Sequence, residues 1–321
     1  MPVLSPPKFW SRPGIAPTLL WPFAEAFAAF GAARAAMTTA QRAPLPVICV
    51  GNLVAGGAGK TPVVESIARL LTEHGRKPAI LSRGYGGRLR GPIRVDPARH
   101  TARDVGDEPL LLTRAAAVWI GSDRIASARE AASAGADCVI MDDGFQNPRI
   151  AKNLSLLTID GAYGLGNGRV MPAGPLREPA ERGLARADAI ILLGENRTGF
   201  LPRSDKPVLR AVLEPVNSAD FDAKPVAAFA GIGRPEKFFT TLEHGGAHLV
   251  ARHAFPDHHF YTDAELRRLA DKANGAPLVT TEKDWVRLTP EWRARVAVLA
   301  VHVVWQDRVS LLNILSSVIP L

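Results

Sequence analysis

Two segments of this chain carry residue types that could do chemistry together. In residues 46–62, PVICVGNLVAGGAGKTP, an apolar run breaks into glycines and ends on Gly56-Gly57-Ala58-Gly59-Lys60-Thr61. Glycines let backbone N–H groups curl around an anion, a lysine at this spacing reaches the β and γ phosphates, and the threonine hydroxyl can sit on Mg²⁺. Further on, Cys138-Val-Ile-Met-Asp142-Asp143 delivers two carboxylates at the end of an apolar run. A carboxylate there holds Mg²⁺ directly or through water, so Lys60, Thr61, Asp142 and Asp143 together predict a nucleoside triphosphate site. The loop departs from G-x-x-x-x-G-K-[ST] at Val54, where glycine is usual. It is nearer the variant GG-x-G-K-T, with Ala55 where many variant loops place a second lysine.

These groups need a scaffold that presents them at one edge. Val47–Gly51 reads as a buried strand and Lys60–Glu73 as a helix with apolar Val63, Val64, Ile67, Leu70 and Leu71. Further strands are expected at 77–82, 118–121, 136–141, 154–160 and 187–193, and helices near 108–116 and 123–134. A glycine- and proline-rich loop is expected between the last two strands. Alternating strands and helices imply a mainly parallel sheet covered on both faces, with ligands at the carboxyl ends of its strands. A proline-marked stretch at 201–222 reads as a linker. Beyond it, strands at 226–230, 247–251, 277–280 and 296–301, helices at 236–243 and 263–273, and an apolar helix at 310–319 predict a smaller unit. The fold class is therefore α/β, with a P-loop NTPase-like core at 45–214, a second α/β domain at 215–321, and an N-terminal helical segment at 1–44.

The 321 residues, 47% of them hydrophobic, are enough for two cores. A formal charge of +8 implies an anionic partner, and no nucleic-acid-reading motif is present, which argues for a phosphorylated substrate or an acidic membrane surface. The two cysteines, Cys49 and Cys138, lie in apolar runs and suggest a reducing compartment. Residues 15–37 are apolar and aromatic, but Pro17, Pro22, Glu25 and Arg34 interrupt them. This fits an interfacial helix better than a membrane span, with a helix packed on the core as the alternative.

Other residues have ordinary explanations beside chemical ones. Asp107, in Gly106-Asp107-Glu108-Pro109, reads first as a helix N-cap. Five of the eight histidines fall between His244 and His259, but without H-E-x-x-H spacing or nearby cysteines they do not predict zinc. The run FPDHHFY at 255–261 could carry imidazoles into a cleft. Arg177 in PAGPLREP could clamp phosphate. Thr281 and Asp284 read as an N-cap and its capping-box partner.

Taken in order, VGNLVAGGAGKTP, LSRGYGG, GDEPLLL, GSDR, DDGFQ, MPAGPLREP, AGIGRPEKFF, FPDHHFYT and TTEKDWVRL resemble one family, the tetraacyldisaccharide 4'-kinases, the lipid A 4'-kinases of Gram-negative bacteria. The resemblance covers most of the chain. It implies transfer of the ATP γ-phosphate, with Mg²⁺, to the 4'-hydroxyl of tetraacyldisaccharide 1-phosphate, yielding lipid IVA at the cytoplasmic face of the inner membrane. It also raises Asp107 from a cap to a general base paired with His258. Tyr85, Arg124, Gln146, Arg177 and Glu178 become candidates for nucleotide or substrate contacts. Two other classes stand beside it, a nucleotide switch or metal-delivery ATPase and a soluble small-molecule kinase. Ala55 counts against the first, whose members often carry lysine there.

Overall fold

The computed structural model describes residues 7–12, 14–200 and 205–321, so residues 201–204 of the expected linker lie outside the described residues. In chain order the strands are β1 (Val47–Gly51), β2 (Pro78–Ser82), β3 (Ile93–Arg94), β4 (Ala117–Ile120), β5 (Cys138–Asp142), β6 (Leu154–Asp160) and β7 (Ala189–Leu193). They continue as β8 (Val208–Pro215), β9 (Pro225–Ala230), β10 (His248–Ala254), β11 (Leu278–Thr281), β12 (Val296–Leu299) and β13 (Val301–Trp305).

Nine strands form one sheet in the order β13-β8-β7-β6-β1-β5-β2-β4-β3. From β8 to β4 the neighbours are parallel, while β3 and β13 run antiparallel at the two edges. The sheet places β1 between β5 and β6, which leave it in opposite directions, so the crevice for a ligand opens at the carboxyl end of β1. Strands β1, β2, β5, β6 and β7 are buried throughout, as a sheet covered on both faces requires. The helix Lys60–Glu73 packs Val63, Val64, Ile67 and Leu71 on one face, and the helix Arg124–Ser133 packs Ile125 and Ala128 on the other.

The smaller sheet, β10-β9-β11-β12, is all parallel. Its two faces are covered by Phe238, Phe239 and Leu242 on one side and Leu266, Leu269 and Trp292 on the other.

The largest differences from the sequence expectations lie in three segments. The stretch expected as a linker contains β8, which joins the large sheet beside β7. The run expected as one strand at 296–301 divides at Ala300, and β13 pairs with β8, so the end of the chain returns to the large sheet. Leu311 and Leu315 of the closing helix Arg308–Ser316 lie in that sheet's core. The loop expected between β6 and β7 contains a short helix, Ala180–Arg186.

The N-terminal segment forms two helices, Ile15–Leu19 and Trp21–Ala36, and among the described residues no helix is long and apolar enough to cross a membrane. Trp10 Nε1 donates to Pro172 O at 3.0 Å and Arg169 Nη1 to Pro17 O at 3.3 Å, which tie the segment to the loop that carries Arg177. Ile15, Leu19, Phe23 and Phe30 remain 81%, 71%, 66% and 72% exposed.

Candidate active site

The phosphate loop is held from within by a residue that the sequence reading passed over. Asn52, at the end of β1 and buried, donates through Nδ2 to Val54 O at 2.7 Å and accepts at Oδ1 from Lys60 Nζ at 3.2 Å. That fixes the bend of the loop and the direction of its lysine together. Gly59 has φ +72, and a Cβ there would lie 2.3 Å from Leu193 Cδ2, so both backbone and space favour glycine where the loop enters its helix. Lys60 and Thr61 are the first two residues of that helix, whose N-terminal N–H groups favour an anion.

Across the loop stand the two aspartates at the end of β5. Asp143, at φ +54, accepts from Arg177 Nη1 and Nη2 at 2.7 and 3.0 Å and lies 3.7 Å from Lys60 Nζ. Burial opposes its ionisation, but Lys60 and Arg177 outweigh it and hold the carboxyl below its ordinary range. Asp142 behaves oppositely, because burial and the nearby carboxylates of Glu108 and Asp143 push it up to about 7. Lys60 and Arg124 oppose that shift without cancelling it. Among the described residues no group of three or more His, Cys, Asp or Glu forms a metal cage. Mg²⁺ ordinarily takes only one or two carboxylates and completes its shell with phosphate and water, so Thr61, Asp142 and Asp143 are a donor set that fits it.

Gln146 and Glu178 join this arc as framework. Gln146 Nε2 donates to Asn52 O at 2.9 Å and to Glu178 Oε1 at 3.1 Å, and Arg186 clamps Glu178 at 2.6 Å. Arg124 is placed differently. Buried below the arc, it donates from Nη1 to Ser82 O at 2.9 Å and to Gly121 O, so it ties the ends of β2 and β4. Burial lowers its guanidinium to about 10, with Asp142 and Asp143 opposing the shift.

The second centre is a dyad assembled from the two sheets' loops. Asp107 is the first residue of the helix Asp107–Leu112, with Gly106 and not Asp107 in the cap position, and its Oδ1 accepts from Glu108 N at 2.9 Å. His258 lies between β10 and the helix Asp263–Lys272, and its Nδ1 is 2.9 Å from Asp107 Oδ2. The same oxygen accepts from Arg287 Nε at 2.7 Å and from Arg287 Nη2. Burial would raise the Asp107 carboxyl, yet the His258 hydrogen bond and the charges of Lys283 and Arg287 hold it well below the usual carboxylate range. With Nδ1 engaged, His258 presents Nε2, which has Lys283 Nζ at 3.5 Å. Lys283 Nζ also pairs with Glu108 at 3.0 Å and lies 4.0 Å from Asp257. The Tyr85 ring sits edge-on to His258, 5.7 Å between centroids, and is 60% exposed at the mouth.

His258, at φ +60, and Asp143 are two of only four described non-glycine residues with positive φ. Such backbone is sustained where the surroundings over-determine it, and here two cases fall at the facing centres. Arg287 and Lys283 were missed in the sequence because each acts on Asp107 or Glu108 across a large separation, and Asn52, whose partners Val54 and Lys60 are near in sequence, because an asparagine in a glycine-rich turn reads as an ordinary turn residue. The one local signal was the three-residue spacing of Asp284 and Arg287, whose side chains meet at 2.8 Å.

Known proteins resemble this chain over nearly its whole length. The family described as tetraacyldisaccharide-1-P 4'-kinase matches residues 16–320. The tetraacyldisaccharide 4'-kinase of Rhodospirillum centenum is 57% identical over 312 residues, 94% of this chain and 93% of that protein. That of Gluconacetobacter diazotrophicus is 52% identical over 307 residues, 94% of each. The crystal structure of LpxK from Aquifex aeolicus in complex with ATP superposes with a TM-score of 0.80 at 27% identity, covering 95% of this chain and 99% of that one.

Proposed function

The chain belongs to the tetraacyldisaccharide-1-P 4'-kinase family, and from that premise we propose how its residues perform the family's reaction. The reaction is transfer of the ATP γ-phosphate to the 4'-hydroxyl of tetraacyldisaccharide 1-phosphate, a step of lipid A biosynthesis. The observation that supports the mechanism is that the Asp107–His258 pair stands next to Glu108, whose charge acts on Asp142 beside the phosphate loop. The loop N–H groups and Lys60 hold the β and γ phosphates. The sugar 4'-oxygen attacks the γ-phosphorus, the bond to the β–γ bridging oxygen breaks, and its electron pair leaves with ADP. The hydroxyl proton passes to Nε2 of His258, whose Nδ1–H is held on Asp107 Oδ2, and the Asp107 carboxylate, fixed by Arg287, balances the imidazolium that forms. Mg²⁺, held by Thr61, Asp142 and Asp143, would neutralise charge on the phosphate oxygens. Lipid-dependent consumption of ATP tests this reading. A nucleotide switch would hydrolyse ATP at the same rate without the disaccharide.

The metal assignment has a pH signature. The folded-state pKa of Asp142 lies above the unfolded 3.8, so without metal its contribution to stability is present at low pH and lost as pH rises through about 7. Bound Mg²⁺ reverses that penalty. Thermal unfolding should therefore show a larger Mg²⁺ shift at about pH 8 than at about pH 6, and Asp142→Asn should remove the difference. Equal shifts at both pH values would discard Asp142 as a ligand.

The N-terminal segment, tied to the loop that carries Arg177, offers a surface suited to a lipid. We place the chain at the cytoplasmic face of the inner membrane, with Ile15, Leu19, Phe23 and Phe30 in the headgroup boundary and Arg34 among anionic lipids. Burying a phenylalanine is worth about 1.5–3 kcal/mol, so Phe23→Ser with Phe30→Ser should weaken binding to anionic vesicles by roughly a hundredfold while leaving the melting temperature unchanged. Unchanged vesicle binding would return the segment to a purely structural role.

A further inference from the structure

The segment AGIGRPEKFF holds no residue of either centre, yet four of its residues join them. At one end, Gly231 O accepts from Arg287 Nη1 at 2.8 Å and from His258 N at 3.1 Å, so Gly231 is fastened to the dyad. At the other end, Arg234 Nη2 donates to Gly57 O of the phosphate loop at 3.1 Å and to Asp160 Oδ2 at 2.5 Å. Asp160 closes β6, directly beside β1, and is buried. Lys237 Nζ lies 3.9 Å from the same carboxylate, and the Tyr163 ring lies 5.5 Å under the Arg234 guanidinium. The root of the arm is fixed too, because Arg234 is the N-cap of the helix Pro235–His244 and the next residue is a proline at the helix start.

We propose that Arg234 is a positioning residue that clasps the phosphate loop and sets it in register with the dyad through the strap 231–234. In a loop whose N–H groups turn inward to an anion, carbonyls turn outward, and Gly57 O is such a group. Asn52 braces the loop from within and Arg234 braces it from the other sheet. The loop is thus braced from both sides, which makes ATP affinity depend in part on a residue that follows β9 of the smaller sheet. Arg234 is 40% exposed in its side chain, so the arm can be altered without opening a core.

The inference rests on the nucleotide site proposed above, and the experiment separates the two. ATP affinity is measured by calorimetry on the full chain, wild type and variants, alongside KM for ATP and for the lipid. Arg234→Ala should raise Kd and KM for ATP roughly tenfold, leave the lipid KM within about twofold, and leave the melting temperature unchanged. Arg234→Lys, which keeps the charge, should recover part of the loss. Asp160→Asn, which releases the guanidinium from its counter-charge, should shift ATP affinity in the same direction as Arg234→Ala. An ATP Kd within twofold of wild type in Arg234→Ala would overturn the inference, as would equal losses for both substrates together with a lowered melting temperature. A wild-type chain that does not bind ATP would overturn the nucleotide site and this inference with it.

Discussion

Asp107→Asn should lower turnover by about 10² to 10⁴ while leaving ATP affinity within about twofold. Asparagine keeps the shape of the carboxylate but loses the charge that His258 Nδ1 and Arg287 both address. Asparagine leaves an amide oxygen that can still accept from Arg287 where alanine leaves none, but either change removes the charge, so the melting temperature is read beside turnover. Arg287 is wholly buried in its side chain, and although Asp284 stays on it at 2.8 Å, stripping Asp107 away would leave a partly unpaired buried charge. Breaking such a pair costs about 3–5 kcal/mol of stability, which could be mistaken for a catalytic loss. His258→Ala should fall by a similar factor, and the double variant should be little worse than either single one, as for groups that act as a unit. Near-normal turnover in Asp107→Asn would remove the residue from proton transfer. The pair also contributes to acid stability. Since the folded carboxyl titrates below its ordinary 3.8, its contribution is fully present above that value and is lost as pH falls through the lower folded one.

Lys60→Ala should remove both binding and chemistry, with ATP affinity falling at least about tenfold and kcat by about 10² to 10³. Lys60 is held by Asn52 at 3.2 Å and by Asp143 at 3.7 Å, with little of its side chain in water. Its ammonium is thus aimed before nucleotide arrives, and a preorganised charge stabilises developing charge without reorganisation. The fold should tolerate the change, because Asp143 retains both bonds from Arg177. Turnover and affinity within about threefold of wild type would mean that the loop does not carry the triphosphate.

Most of this architecture was legible from local pattern. Val47–Gly51, Lys60–Glu73 and Leu154–Asp160 were expected with the same bounds, since buried parallel strands and an amphipathic helix leave clear signatures. β8 was hidden because proline brackets read as a linker, yet the pairing of Ile190 to Leu193 with Val208 to Ala211 overrides that local signal. β13 was hidden because it follows β12 almost without a break and only a long-range partner, β8, separates them. At the site, phosphate loops and strand-end carboxylates announce themselves by composition. Asp107 did not, because a carboxylate at a helix start is ordinarily a cap, and only its contacts with His258 and Arg287, distant in sequence, distinguish it. Asp284 was expected as a capping-box partner, and it does accept from Thr281 Oγ1 at 2.6 Å. It also accepts from Tyr261 at 2.7 Å and from Arg287, roles that no spacing rule discloses.

The most direct test of the account follows the transferred group itself. The chain is incubated with γ-labelled ATP, Mg²⁺ and tetraacyldisaccharide 1-phosphate in mixed micelles, and the label is located on the recovered lipid. The account predicts one labelled phosphate at the 4' position in wild type and almost none with Asp107→Asn. ATP hydrolysed with no label on the lipid, or label at any other hydroxyl, would contradict it.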